Sequence, residues 1–243
     1  MDAKRIRADA LLVQRGLFKS RSRAQAAIDA GLVTAQGAPV RKASEQLCVD
    51  AALRAAEATP WVSRGGVKLD YALDKFKLDP FGRDCLDIGA STGGFTHVLL
   101  ARGAASVIAV DVGHGQLAAI LRADARVRSI EKQDARTLTH AQAGAPSALT
   151  FDVSFISLRL VLPHVLSLAA SAAWLVALVK PQFEVGRRAL AKGQVKDRDD
   201  LARACEIVRA CAEGLGWRSL GLEPSPVLGG DGAIEFLYAA ERA

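Results

Sequence analysis

The sequence predicts an α/β protein: a mostly parallel sheet with helices on both faces, preceded by a small α+β module. Three observations carry this. The stretch Asp84-Cys85-Leu86-Asp87-Ile88-Gly89-Ala90-Ser91-Thr92-Gly93-Gly94-Phe95-Thr96 reads as a strand, a small-residue loop and a helix start. From residue 83 onward, apolar runs alternate with helical patterns, which is the signature of a parallel sheet. Residues 4–50 instead carry two short helical patterns, a hairpin signal and an excess of positive charge.

Composition sets the bounds. The 243 residues allow one large domain, or a small one followed by a medium one, and half of them are hydrophobic. The start, Met1-Asp2-Ala3-Lys4-Arg5-Ile6-Arg7, is charged and no apolar stretch follows, so no secretory signal is expected. The most apolar region, Leu158 to Val179, is broken by Arg159, Pro163 and His164 and reads as a helix and then a buried strand. Cys48, Cys85, Cys205 and Cys211 show no C-x-x-C spacing. No metal is expected, and buried thiols point to a reducing, cytoplasmic setting.

In the first module, Leu11, Leu12 and Val13 lead to a helix stop at Gly16. Ser20 can cap a second helix, with Ala24, Ala27 and Ile28 on one side and a stop at Gly31. Leu32 to Ala35, a Gln36-Gly37 turn and Pro39-Val40 then read as a hairpin. The net charge of the chain is +6, and residues 1–23 hold seven basic residues against two acidic ones. A basic cluster at one end suggests a polyanionic partner. The pattern Arg7-x-Asp9-x-x-Leu12, Gly16, Ser20-Arg21-x-x-Ala24-x-x-x-Ile28-x-x-Gly31-x-Val33 resembles the S4 RNA-binding module. That resemblance implies RNA contacts from Arg5, Arg7, Lys19, Arg21 and Arg23, with Arg64 added from beyond the module.

Alanine-rich residues 51–62 with Pro60 read as a connection. The expected division is 1–57 for the first domain, 58–66 for a linker and 67–243 for the second domain. A helix follows with Leu69, Ala72, Leu73 and Phe76 on one face, and Lys68 sits near its start, where the helix dipole disfavours a cation.

Seven strands are expected near 84–89, 106–111, 127–132, 149–154, 174–179, 217–223 and 234–240. Helices near 95–102, 115–123, 158–170 and 198–214 separate several of them. Ligands of such sheets bind beyond the carboxyl ends of the strands. The residues expected there are Asp87 with its glycine loop, Asp111, Asp134, Asp152 and Lys180, and Glu235 enters the last strand. An acid such as Asp111, about 20 residues past a glycine loop, can accept both hydroxyls of a ribose. The loop also contains the hydrolase pattern Gly89-Ala90-Ser91-Thr92-Gly93, but no histidine follows His164 to complete a triad. It lacks the Lys-Ser or Lys-Thr of a Walker loop, and Ser91 replaces the middle glycine of a dinucleotide loop. Asp152 and Lys180 stand among apolar neighbours, where an unpaired charge would cost several kcal/mol. With Lys68 and Glu235 also awkwardly placed, one shared site explains all four.

Five motifs in order resemble the TlyA family: Ser63-Arg64-Gly65-Gly66-x-Lys68-Leu69, the Asp87–Thr96 loop, Val110-Asp111-Val112-Gly113-x-Gly115-Gln116-Leu117, Asp152-Val153-Ser154-Phe155-Ile156-Ser157-Leu158 and Val179-Lys180-Pro181-Gln182-Phe183-Glu184. These are S4-domain ribosomal RNA methyltransferases with an FtsJ-like catalytic domain, historically labelled haemolysin A. The resemblance implies a Rossmann-like, seven-stranded, S-adenosylmethionine-dependent methyltransferase domain behind the S4 module. The acceptor it implies is a ribose 2′-hydroxyl, of a cytidine, in ribosomal RNA or ribosomal subunits. It places the cofactor against Asp87, Gly89, Ser91, Gly93, Gly94, Phe95, Asp111 and Asp134, and the family's Lys-Asp-Lys-Glu set onto Lys68, Asp152, Lys180 and Glu235. Two positions depart from the family pattern, since Asp134 and Ala233 stand where Asn is usual. Bulk lysine titrates near 10.4, so a lysine base must be neutralised by its site. Lys180 is expected to take the 2′-proton, opposed by Lys68, while Asp152 and Glu235 hold the ammonium groups. The rival readings are an assembly factor with an inactive catalytic domain and a membrane-active haemolysin.

Overall fold

The structure, a computed structural model, describes residues 5–29, 31–55, 59–190 and 193–242. Its internal contacts divide the chain into a unit of residues 1–60 and a unit of residues 61–243. Lys4 of the basic cluster and the expected boundary at residues 57 and 58 lie outside the described residues.

In the first unit, β1 (Arg5–Arg7), α1 (Ala8–Gln14), α2 (Arg21–Asp29), β2 (Val33–Ala35), β3 (Ala38–Pro39), β4 (Gln46–Cys48) and β5 (Leu53–Ala55) follow in order. The two helices and the β2–β3 hairpin are those the sequence predicts. Gln36 and Gly37 both adopt positive φ, 51° and 81°, as the tight turn of a two-residue hairpin requires. β1 pairs antiparallel with β4, and β5 pairs with β2. β1, β4 and β5, of three residues each, are too short to show a period of two and were not expected from the sequence. Leu11, Leu12, Ala24, Ala27, Ile28, Val33 and Leu47 form the core.

The second unit runs α3 (Arg64–Phe76), β6 (Asp84–Ile88), α4 (Gly94–Ala101), β7 (Ser106–Val110), α5 (Ala119–Arg122), β8 (Val127–Ile130), α6 (His140–Ala143), β9 (Ala148–Phe151), α7 (Leu158–Ser167), β10 (Ala173–Val179), α8 (Pro181–Glu184), α9 (Arg198–Gly214), β11 (Arg218–Pro224) and β12 (Phe236–Arg242). The seven strands pair in the order β11-β12-β10-β9-β6-β7-β8. β10, β9, β6, β7 and β8 are mutually parallel, and β12 runs antiparallel between β10 and β11.

Strand periodicity divides the core in two. On β10, Leu175, Ala177 and Val179 face a layer with Val161, Leu162, Val208 and Trp217 of the α7–α9 side. Trp174, Val176 and Leu178 face Leu69, Leu73, Val98 and Leu99 of α3 and α4. Both faces are therefore covered, as a nearly continuous apolar run predicts for a central parallel strand.

Two expectations need correction. The helix expected over 115–123 is confined to α5, because residues 116–118 are drawn across the glycine loop. Ser91 Oγ donates to Gln116 Oε1 at 3.1 Å, and the Ala118 amide bonds Thr92 O at 3.2 Å. The linker expected over 58–66 is helical from Arg64. Its glycines serve packing: a Cβ on Gly66 would lie 2.4 Å from Trp61 Cβ.

Candidate active site

The chain passes from β6 to β7 and β8 on one side, then returns to β9 and β10 on the other. That reversal opens a crevice between the carboxyl ends of β6 and β9. Ile88 pairs with Phe151 there, so Gly89 and Asp152 emerge side by side. The Asp152 amide bonds Ile88 O at 2.9 Å. Gly89 has φ +79°, and a Cβ on it would lie 2.5 Å from the Asp152 carbonyl oxygen.

A cavity of about 430 Å³ opens at this crevice, with Gly89, Ser91, Asp111, Asp134 and Asp152 on its wall. Ile88, Val110, Val112, Ile156 and Val161 supply an apolar lining. Asp111 shapes it: Oδ2 accepts the Ser91 amide at 2.8 Å and Oδ1 the Gly113 amide at 2.7 Å. Ser91 is held at φ +47°, with its hydroxyl spent on Gln116. Asp134 is gripped by the Arg136 guanidinium and accepts the Arg136 amide, which together hold its carboxyl below the usual range.

Four residues expected at the cofactor are not on the wall of this cavity. Asp87 is fully buried; Oδ2 accepts from Thr96 Oγ1 at 2.7 Å and Oδ1 from Thr150 Oγ1 at 2.9 Å. It ties β6 to α4 and β9. Phe95 is buried in the α3–α4 layer. A Cβ on Gly93 would meet Leu121 Cδ1 at 2.2 Å, and one on Gly94 would meet Ser63 Oγ at 2.2 Å. These four shape the loop from behind.

Asp87 makes a thermodynamic prediction. Burial pushes its carboxyl up to about 6, against the lowering effect of the threonine hydroxyls. Between its unfolded value near 4 and the folded value, the folded state binds the extra proton, so stability falls as pH rises through this window. Asp87→Asn is expected to remove a variation of about 3 kcal/mol from the stability profile between pH 4 and 7. Melting curves of both proteins across that range check this.

The four residues expected to do chemistry form two ion pairs. Lys68 on α3 donates to Glu235 Oε2 at 2.5 Å, with both side chains buried. Lys180 precedes α8 and donates to Asp152 Oδ1 at 2.7 Å and to Ser154 Oγ at 2.7 Å. The sheet brings the pairs together. Val179 pairs with Phe236, so Lys180 and Glu235 are the next residues beyond that ladder. On α3, one turn before Lys68, a Cβ on Gly65 would lie 3.6 Å from Asp152 Oδ2. Ala233 is buried and holds the turn ahead of Glu235 through its backbone: its amide bonds Gly230 O, and its carbonyl accepts the Gly229 amide.

Sequence reading missed Ser154, Gln116, Gln133, Arg136 and Phe155, all on the cavity wall. Phe155 is 91 % exposed at φ +64° and packs against Phe183, ring centroids 5.4 Å apart. A large apolar side chain in a loop next to an acid at a strand end was the available signal.

In the first unit, Asp9 is the organising acid. It is buried, and it accepts from the guanidinium groups of Arg7 at 3.0 Å and Arg21 at 2.7 Å. Arg7 foremost draws its carboxyl down to about 2. Both guanidinium groups are thereby fixed while staying about half exposed, at 43 % and 60 %. Arg5 and Lys19 are exposed and Arg23 half-buried in the same unit, whereas Arg64 begins α3 of the second unit. Among the described residues, no His, Cys, Asp and Glu group of three or more is placed to hold a metal, and no helix is long and apolar enough to cross a membrane.

The FtsJ-like methyltransferase family matches residues 61–242, and the S4 domain family matches residues 6–53. The 16S/23S rRNA (cytidine-2′-O)-methyltransferase TlyA of Mycobacterium tuberculosis is 47 % identical over 96 % of this chain and 89 % of its own. Hemolysin A of Brachyspira hyodysenteriae is 37 % identical over 96 % of this chain and 98 % of its own. A solved structure from Streptococcus thermophilus that carries a hemolysin name superposes with a TM-score of 0.78. It has 42 % identity and covers 98 % of this chain and 89 % of that one.

Proposed function

The chain belongs to the FtsJ-like methyltransferase family, with an S4 domain ahead of the catalytic domain, and from that premise we propose that it methylates a ribose 2′-hydroxyl of a cytidine in ribosomal RNA. The observation that carries this is the pairing Lys180–Asp152 and Lys68–Glu235 at the strand ends beside a nucleoside-sized cavity. A ribosomal substrate also sets the protein in the cytoplasm. We assign residues 1–57 to RNA docking and 67–243 to chemistry.

The cavity fits S-adenosylmethionine. Its apolar walls suit adenine, Asp134 can accept the adenine amino group, and Asp111 has lone pairs left for ribose hydroxyls. The Gly89–Ser91 turn on the same wall would take the methionine end. When bound, the cofactor supplies an electrophilic sulfonium methyl. The protein's tasks are then to align the acceptor oxygen and to remove its proton.

Lys180 is suited to the second task. A neutral amine has two N–H donors and one lone pair. Asp152 and Ser154 take two hydrogen bonds from Nζ, so once the ammonium of this ion pair has given up its third proton, a lone pair is left for an incoming hydroxyl. Lys68, held by Glu235, contributes a fixed positive charge opposite. Exposed Phe155 offers a face on which an unstacked target base can lie. Transfer of labelled methyl to ribosomal subunits, with the label mapped to a ribose, tests the reading; label on a base or on protein sinks it. The rival reading, an inactive assembly factor, drew on Ala233. Its backbone turn still delivers Glu235 to Lys68, which favours an active enzyme.

Docking through Arg7, Arg21 and their neighbours makes RNA affinity salt-dependent through counterion release. Arg21→Ala is expected to weaken RNA binding at all sequences and to reduce the salt slope by about one, with cofactor affinity unchanged. Titrations at several salt concentrations read this, and an unaltered slope would remove Arg21 from the interface.

A further inference from the structure

The loop between β9 and α7 carries Asp152, Ser154 and Phe155, and its far end is fastened by a carboxylate none of the chemistry uses. Glu184, the last residue of α8, is only 6 % exposed. Its Oε2 accepts from Ser157 Oγ at 2.5 Å and its Oε1 from the Leu158 amide at 2.8 Å. Those two groups are the N-cap and the first residue of α7. Desolvation pushes the carboxyl upward, and the two donors oppose that. Burying a carboxylate for a helix cap alone is unusual, since the Ser157 hydroxyl already accepts the Arg159 amide.

The position of α8 explains it. Lys180 and Glu184 are the two ends of one helical turn, closed by Phe183 N to Lys180 O at 2.9 Å and Val185 N to Pro181 O at 3.1 Å. One end of the turn reaches Asp152 and Ser154 through Lys180, and the other reaches Ser157 and Leu158 through Glu184. The near end of the loop is already fixed by the Asp152 amide on Ile88. The loop is thus held at three points, two of them on the turn that carries the lysine.

We infer that Glu184 is a positioning residue that holds the Asp152–Ser157 loop in register with Lys180, so that Asp152 and Ser154 both stay within hydrogen-bond reach of Nζ. This rests on the methyl-transfer reading above. Without the clamp, the loop and the lysine keep their chemistry but lose their alignment, a loss that falls on the reacting geometry and spares cofactor and RNA binding.

The test compares wild type, Glu184→Ala, Glu184→Gln and Ser157→Ala in methyl transfer to ribosomal subunits, with calorimetric S-adenosylmethionine binding and melting curves on each. Glu184→Ala is expected to lower kcat roughly 10- to 100-fold with cofactor affinity and the KM for subunits within about threefold. Glu184→Gln keeps an acceptor for the Leu158 amide and an amide donor for Ser157 Oγ, and should recover kcat to within about threefold of wild type. Ser157→Ala removes one of the two bonds and should give the same split at smaller size; it decides the matter if Glu184→Ala fails to fold. A lowered melting temperature with unchanged kcat per folded molecule would make Glu184 merely structural and overturn the inference. So would equal losses in cofactor affinity, or no recovery with Gln. If wild type transfers methyl and Glu184→Ala matches it, this inference alone falls; if wild type transfers none, both fall.

Discussion

Lys180→Ala is expected to lose methyl transfer to ribosomal subunits by about 10²- to 10⁴-fold, the range a positioned general base supplies. Lys180→Arg should lose as much. A guanidinium keeps the charge and can still bond Asp152, but it is not deprotonated in proteins and so offers no lone pair. The pair of variants therefore separates a proton acceptor from a fixed positive charge. Removing the lysine leaves Asp152 without its counter-ion, but the Asp152 side chain is 26 % exposed and water can reach it. Melting curves should show a folded protein, and S-adenosylmethionine binding should persist because Lys180 does not line the cofactor cavity. Single-turnover kinetics with saturating cofactor measures the step directly. Near-normal transfer by folded Lys180→Ala would remove the base from this position, and full activity in Lys180→Arg would turn the role into electrostatics.

That Lys180 and Asp152 each need a charged partner was legible in the sequence for a simple reason, although which acid holds which lysine was not. Each stands at the end of an apolar strand, where an unpaired charge is costly, so a partner had to exist. The strands were legible because the central ones are buried on both faces and read as continuous apolar runs. Asp87 shows where this logic stops. It too ends an apolar run, but it lies one residue before the strand end, and its side chain turns to Thr96 and Thr150 inside the protein. Which way a strand-end acid points depends on the pleat, and a one-residue error reverses it. Ser154, Gln116 and Glu184 were illegible because their roles rest on contacts across 26, 25 and 26 residues between separate segments. Loop polarity in a sequence carries no record of such partners. The truncation of α5 has the same origin, since the helical pattern near residue 116 is overridden by the bond from Ser91.

Gly89→Ala is the other change of large expected effect, because one methyl group would strike both halves of the site. The residue sits at φ +79°, which costs a residue with a Cβ roughly 1–2 kcal/mol. A positive φ without the close contact is found at Gly216, φ +83°, in the turn that ends α9, where a Cβ would meet nothing within 4 Å. At Gly89 the new Cβ would also lie 2.5 Å from the Asp152 carbonyl oxygen and 2.8 Å from its carbon. Those are backbone atoms and cannot swing aside, so either the Gly89–Ser91 turn moves out of the cofactor cavity or Asp152 moves away from Lys180. Relief in the first direction lowers cofactor affinity, and relief in the second lowers kcat; a shift of about 1 Å shared between them can cost on the order of 100-fold in turnover. Gly89→Ala is therefore expected to lose cofactor affinity and kcat together, while Gly216→Ala loses only stability. Calorimetric binding, kcat and melting temperature on the two variants make the comparison. If Gly89→Ala proved no worse than Gly216→Ala in all three, the close approach of the Gly89 loop to the strand that carries Asp152 would not be what holds this site together.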